Sequence, residues 1–220
     1  MKHVFAFAGA VLVLAGATVA APITINNPGF ESGSTGWTVW GSGWTAQPTD
    51  AEFPGASSGS LPAPAGGTTT MVGGSTFGGR IWQKVDGVTV QADMIYTLTV
   101  ATGRPANLPF DLTQWDIYLS AGNDANSTRL GTQWITPSSV PAGTFVDTTL
   151  VVDTTGLDPS LIGKNLIVVL HDNDGLNGYP SAGYHFDNVR LNISPIPEPA
   201  TMSLLALGSL AALMKRRRNN

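Results

Sequence analysis

The sequence predicts an all-β domain, an antiparallel β-sandwich of the jelly-roll kind, and three observations predict it. Apolar residues recur at every second position along residues 21–194, and no segment there sustains a helical period. The 220-residue chain holds 26 Gly and 15 Pro, which break helices and mark turns. It is only 12% charged and has no Cys, so a buried apolar core, with no help from disulfides or thiolate-bound metal, must hold it together.

The elements follow in chain order. Ile23 and Ile25 alternate with Thr24 and Asn26 in a first strand. One strand near Met71 and another over residues 81–85 come next, then Tyr96, Leu98 and Val100 against Thr97 and Thr99. Trp115, Ile117 and Leu119 alternate with Asp116 and Tyr118, which places Trp115 in the core. Val146, Leu150 and Val152 share a face opposite Asp147, Thr149 and Val151. Residues 166–170 are continuously apolar, the pattern of a strand covered on both faces. Val189, Leu191 and Ile193 alternate with Arg190 and Asn192 and close the domain. The result is about eight short strands, a number that suits a jelly roll. Gly-Gly pairs at 73–74 and 78–79 and Asn123-Asp124 mark turns. The Pro-, Gly- and Ser-rich stretch 47–67 is either a functional loop or a solvated insertion.

Both chain ends read as targeting segments flanking this body. Lys2 and His3 precede an apolar run over residues 4–19, and Thr18-Val19-Ala20 offers small residues for a signal peptidase, so residues 1–20 are expected to be a signal peptide; an N-terminal anchor is the alternative. At the other end Pro195, Pro197 and Pro199 forbid a continuous helix. Residues 201–214 then form a short apolar helix that reaches about 21 Å against a hydrocarbon core of roughly 30 Å. Lys215-Arg216-Arg217-Arg218 follows. Pro-Glu-Pro, a short apolar helix and a basic cluster in this order resemble the PEP-CTERM sorting signal over residues 195–220. The resemblance implies bacterial export by the general secretory route and processing by an exosortase, with Pro197, Glu198 and Pro199 as the sorting motif. The tail sits in the inner membrane only during sorting, and the body is destined for the cell surface or an exopolysaccharide matrix. Between residues 21 and 196 there are 14 acids against 6 bases, an excess that repels phosphate backbones and excludes nucleic acid as a partner.

The body carries a second resemblance. Ile25-Asn26-Asn27-Pro28-Gly29-Phe30-Glu31-Ser32-Gly33, with Gly36-Trp37, is similar to the opening of galactose-binding-like jelly rolls, the group that includes xylanase-associated carbohydrate-binding modules. Phe186-Asp187-Asn188-Val189-Arg190-Leu191 is similar to their last strand. Alternation puts Asp187 on the face of Val189, Leu191 and Ile193, that is, inward, and a buried carboxylate needs a partner. The resemblance implies a structural calcium held by Glu31, Asp187 and backbone carbonyls. A salt bridge from Arg80, Lys84 or Lys164, or hydrogen bonds from backbone amides, are the alternatives.

Aromatic residues carry the binding expectation. Trp37 and Trp115 are expected to pack, Trp134 precedes a Pro-Ser-Ser loop, and Trp40, Trp44 and Trp82 are candidates for stacking on a sugar ring. Packing beneath the 47–67 loop is the other reading of those three. His171-Asp172-Asn173-Asp174-Gly175 fails as a calcium loop, since its fifth position is Leu176 and no glutamate closes it; with His185 it makes at most a weak zinc site, and a turn is expected there. Catalytic signals are poor. Gly55-Ala56-Ser57-Ser58-Gly59 lacks the flanking strand and helix of a nucleophile elbow, and nothing fixes the separation of Asp111 and Asp116 as glycosidase carboxylates. The sequence therefore leads to the expectation of an exported, non-catalytic protein that binds polysaccharide. A structural or adhesive matrix protein without a glycan ligand is the alternative, and a secreted glycoside hydrolase the remote one.

Overall fold

Two antiparallel sheets pack face to face in the computed structural model, which describes residues 20–41, 44–48, 66–72, 79–105, 115–136, 138–172 and 184–196. One sheet contains, in spatial order, β3 (Thr45–Pro48), β4 (Thr69–Val72), β11 (His185–Pro195), β6 (Met94–Arg104) and β9 (Thr144–Asp153), with β1 (Ala21–Ile23) also paired to β11. The other runs β2 (Thr38–Trp40), β5 (Arg80–Thr89), β10 (Asn165–Asp172), β7 (Trp115–Ala121) and β8 (Thr128–Ile135). Among the described residues the helical content is one short 3-10 turn, Pro159–Leu161. The chain thus adopts the all-β antiparallel sandwich that its alternation dictates. The signal peptide, the C-terminal helix, the Pro-Glu-Pro motif and most of the 47–67 loop lie outside the described residues.

Each strand expected from alternation is present; β2, β3 and β8 are additional. β2 is three residues long and exposed, and β8 mixes Thr, Arg, Gly and Gln along a sheet edge, so neither shows a period-two apolar signal. The core lies where the patterns point. Trp115, Ile117 and Leu119 of β7 meet Leu166, Val168 and Leu170 of β10, and Tyr96, Leu98 and Val100 of β6 face them. At one end of this core four aromatic rings cluster: Trp115 stacks on Phe186 at 5.7 Å, Trp44 on Phe186 at 5.9 Å, and Tyr184 meets Trp115 edge-on at 5.6 Å. Such pairs add about 0.5–1.5 kcal/mol each beyond area burial. At the far edges the two sheets approach each other through Gly131 of β8, where a Cβ would stand 2.6 Å from Val152 Cγ2 of β9.

β10 is covered on both faces, as its unbroken apolar run requires. Ile167 and Val169, pointing away from the main core, form a second cluster with Tyr118 and Ala125. Ala125 belongs to the 122–127 loop, where Asn126 N donates to Asp124 Oδ1 at 2.8 Å and the Tyr118 hydroxyl donates to the Ala125 carbonyl at 2.9 Å. That loop therefore folds back over the outer face of its own hairpin.

One strand breaks its expected alternation. Phe186 and Val189 both enter the core, three positions apart, because Asn188 takes a left-handed backbone with φ 47°. Asp187 consequently lies on the face opposite Phe186, outside the main core, and not on the face of Val189, Leu191 and Ile193 that strict alternation assigns to it. It is nevertheless fully buried. His185 shares that outer face; it pairs with Val72 of β4, and its Nδ1 shares a 2.9 Å hydrogen bond with Thr70 Oγ1.

Burial lowers the His185 imidazole from 6.5 to about 3. Above pH 6.5 the ring is neutral in both folded and unfolded chains, and between the two values only the unfolded chain takes up the proton. Stability is therefore expected to fall as pH drops from 6.5 toward 3. Melting temperature measured from pH 7 to pH 4 should decline, and a His185→Gln variant should show a shallower decline; an identical slope would refute the assignment.

Candidate functional site

The register of the five-stranded sheet aligns one row of side chains across all five strands on its outer face. Trp40 pairs with Arg80, Arg80 with His171, His171 with Asp116, and Asp116 with Trp134. Four strand spacings separate the two tryptophans, about 19 Å at the usual interstrand distance. Trp40 is 54% exposed and Trp134 46% exposed, whereas Asp116 and His171 between them are buried. The row is thus polar and buried in its middle and aromatic and exposed at its two ends. In the next row Trp82 lies between Thr38 and Val169 and packs, half-buried, against the second cluster.

The polar middle is ordered by charge. Asp116 accepts from Arg129 Nη1 at 2.9 Å and is bonded to His171 Nδ1 at 2.7 Å. An ionised carboxylate only accepts, so Nδ1 is the donor, which orients the ring and leaves Nε2 as its free nitrogen. Nε2 is buried without a hydrogen-bond partner. The Arg129 guanidinium lies 3.8 Å from the Tyr118 ring centre, a close cation–π contact, and burial raises the Tyr118 phenol above its ordinary value. Arg80 stands 5.6 Å from the Trp40 ring and donates to Asn126 Oδ1, tying β5 to the loop that covers the face.

The Glu31 and Asp187 pair occupies a different place. The opening motif folds into turns that bury Phe30 and Trp37, whose rings are 5.1 Å apart, and Asn27 Nδ2 donates to the Gly33 and Thr35 carbonyls. Buried Gln83 clasps this motif from β5, accepting from Asn26 N and donating to the Asn26 and Gly36 carbonyls. Val189 N donates to the Pro28 carbonyl, so opening and closing motifs touch directly. Both acids then reach one strap, residues 66–69. Asp187 Oδ2 accepts from Gly66 N at 2.7 Å, and Glu31 Oε1 accepts from Thr68 N at 2.9 Å and Thr69 N at 3.0 Å. Asp187 Oδ1 takes Asn188 N, and Glu31 Oε2 takes the Thr68 hydroxyl. Glu31 is exposed, and its pKa is held below the ordinary value first by the Thr69 amide and then, against a small opposing effect of burial, by Thr68. A Cβ on Gly67, whose φ is 116°, would collide with Glu31 Oε1.

These two carboxylates offer the hard oxygens that calcium takes, over one shared strap. Backbone amides already meet them, however, and among the described residues no three His, Asp or Glu side chains gather to hold a metal ion. Of the alternatives to calcium, hydrogen bonds from backbone amides are present at both acids.

The three candidate tryptophans separate. Trp40 and Trp82 share the outer face of the five-stranded sheet, whereas Trp44 is 9% exposed and stacks within the core, where no sugar reaches it. Trp134, read only as preceding a loop, completes the row; the signal for it was Ile135, whose apolar side chain takes the core and turns its neighbour outward. Asp116 is tied to Arg129 and His171, while Asp111, residues 55–59 and residues 173–175 lie outside the described residues. His185 is buried and bonds Thr70.

An antiparallel β-sandwich with a clamp joining its first and last segments defines the class of domain. The HpiC1-like family, described as HpiC1 cyclase, matches residues 21–192, and the chain belongs to that family. The PEP-CTERM protein-sorting motif matches residues 195–218 and marks an exported, cell-surface protein. No curated protein matches the sequence. Among solved structures, a cyclase from Fischerella sp. TAU is 20% identical with a TM-score of 0.60, over 80% of this chain and 98% of that one. A Stig cyclase, Fisc, from the same organism, in complex with (3Z)-3-(1-methyl-2-pyrrolidinylidene)-3H-indole, is 20% identical with a TM-score of 0.59, over 80% and 99%. A family 16 carbohydrate-binding module is 21% identical with a TM-score of 0.49, over 75% and 96%. Among the described residues no helix is long and apolar enough to cross a membrane, and the expected anchor at 201–214 lies outside them.

Replacing Asp187 by alanine strands Gly66 N and Asn188 N without their acceptor. Urea denaturation of Asp187→Ala is expected to show a loss of about 2–4 kcal/mol, and Glu31→Ala, at an exposed position, a smaller one. Equal stability of Asp187→Ala and the parent would remove the clamp from the account of the fold.

Proposed function

We propose that this protein is a surface-sorted binding domain that takes polysaccharide on the outer face of its five-stranded sheet and is released from the membrane by an exosortase acting at Pro197, Glu198 and Pro199. The observation that carries the reading is the row itself, with solvent-facing indoles of Trp40 and Trp134 at its two ends and Arg80 over Trp40. Indole faces stack on the apolar face of a pyranose, and polar groups between them meet hydroxyls. A site about 19 Å long suits a chain of sugars better than a single one. Pull-down of the protein by insoluble and immobilised polysaccharides tests it. Trp40→Ala and Trp134→Ala are each expected to weaken binding several-fold to tenfold with the fold intact, whereas Trp44→Ala should lose stability by about 3–5 kcal/mol. Unchanged binding in the Trp40 and Trp134 double variant would overturn the reading.

A second reading is favoured by one observation, the buried Asp116–His171 pair with its free Nε2. A histidine oriented by a carboxylate is the usual proton-transfer device, and the family is named for a cyclase. On this reading the face would hold an aromatic substrate, with His171 moving a proton. Saturable binding of an indole compound, abolished in His171→Asn, would support it over the first reading.

Calcium at Glu31 and Asp187 is part of the proposal as a structural ion between the chain ends. The ion would use lone pairs left beside the amide hydrogen bonds, together with backbone carbonyls. Chelation should then lower the melting temperature and added calcium restore it. No change, with no calcium found by elemental analysis, would refute the ion and leave the amide clamp standing.

A further inference from the structure

Among the described residues, two polar atoms of the row from Trp40 to Trp134 have no hydrogen-bond partner. Arg80 Nε and His171 Nε2 are both buried without a hydrogen bond, and Arg80 and His171 are register partners on adjacent strands. A buried polar group left unpaired costs about 1–3 kcal/mol. Two such groups side by side, next to an exposed indole, describe a place that a ligand atom completes.

Charge narrows the ligand. Arg80 is permanently cationic, yet among the described residues the Asn126 side-chain carbonyl and the Trp40 ring that it contacts carry no formal charge. Arg129 and Arg190, in contrast, pair with Asp116 and Asp147. Asp116, the acid of the row, is already engaged by Arg129 and His171. Lys84 lies on the same face of β5, two residues beyond Trp82. On a body with 14 acids and 6 bases, three of the bases therefore gather on one sheet face. A neutral sugar hydroxyl would leave the Arg80 charge unbalanced, whereas a carboxylate would balance it and accept from both nitrogens.

We propose that the Trp40–Arg80–His171 corner binds a carboxylated sugar, so that the polysaccharide taken by this protein is a polyuronate. The pyranose lies on the part of the Trp40 ring that Arg80 leaves open, and its carboxylate accepts from Arg80 Nε and from His171 Nε2. His171 then bridges two carboxylates, Asp116 and the ligand's, as an imidazolium that carries a proton on each nitrogen. This rests on the polysaccharide reading above and specifies the class of glycan.

The test compares binding of the full-length protein to polygalacturonate, alginate and hyaluronan with binding to neutral galactan and xylan, by affinity electrophoresis. At least one polyuronate should retard the protein at a concentration tenfold or more below that needed with either neutral glycan. Arg80→Gln should abolish that preference. Arg80→Lys, which keeps the charge without the Nε donor, should lose most of it and also answers for any folding defect in the glutamine variant. Lys164→Gln makes the same change in net charge away from the corner and should keep the preference. Loss of the preference in Lys164→Gln, or its retention in Arg80→Gln or Arg80→Lys, overturns the proposal. Binding to neutral glycans alone overturns it while leaving polysaccharide binding intact, and binding to none of the five removes both.

Discussion

A single buried carboxylate organises this domain. Asp187 is fully buried and accepts from Gly66 N and Asn188 N, while Val189 N, two residues on, bonds the Pro28 carbonyl of the opening motif. An ionised carboxylate in such a setting is tolerated only with donors aimed at its oxygens. The left-handed turn at Asn188 supplies one of these donors and at the same time moves Asp187 off the core face. The strap at 66–69 supplies another and is held from its far side by Glu31. Opening motif, strap and closing strand therefore depend on one another, although they come from three distant stretches of chain.

With its ends joined in this way, the sandwich can use the two faces of its five-stranded sheet differently. The inner face is ordinary apolar core. The outer face is filled in its middle by Ile167, Val169, Tyr118 and Ala125, and the 122–127 loop closes over them. Beyond that plug the row from Trp40 to Trp134 remains, polar inside and aromatic at its ends. Loop coverage of part of a sheet face turns a flat surface into a bounded site, which is where binding groups on a rigid scaffold are usually placed.

Membership of a family named for a cyclase does not by itself assign chemistry to this chain, because a β-sandwich is a scaffold on which sites are built separately. What bears on chemistry is the Asp116–His171 pair. A histidine with one nitrogen held by a carboxylate and the other unpaired serves equally to hold a ligand carboxylate or to move a proton, and the group that meets Nε2 distinguishes the two. Surface sorting through the tail places that group outside the cell in either case.

Much of this was legible in the residues. Period-two alternation is a local property of strands with one face buried, so β5, β6, β7, β9 and β11 were readable, and the unbroken run in β10 correctly announced cover on both faces. The sorting tail was readable because its order of parts is linear. The opening and closing motifs named both acids of the clamp. Short or edge strands such as β2 and β8 escaped, since few of their side chains are buried and burial is what writes the pattern. The inversion at Asn188 escaped too, because a backbone φ sign leaves no apolar signature. Pairing decided the rest: only strand register sets Trp40, Arg80, His171, Asp116 and Trp134 in one line, and only packing sends Trp44 into the core while Trp134 stays in water. Sequence determines which residues alternate; which strands lie side by side is settled by long-range hydrogen bonding and core packing, and the site is a product of that adjacency.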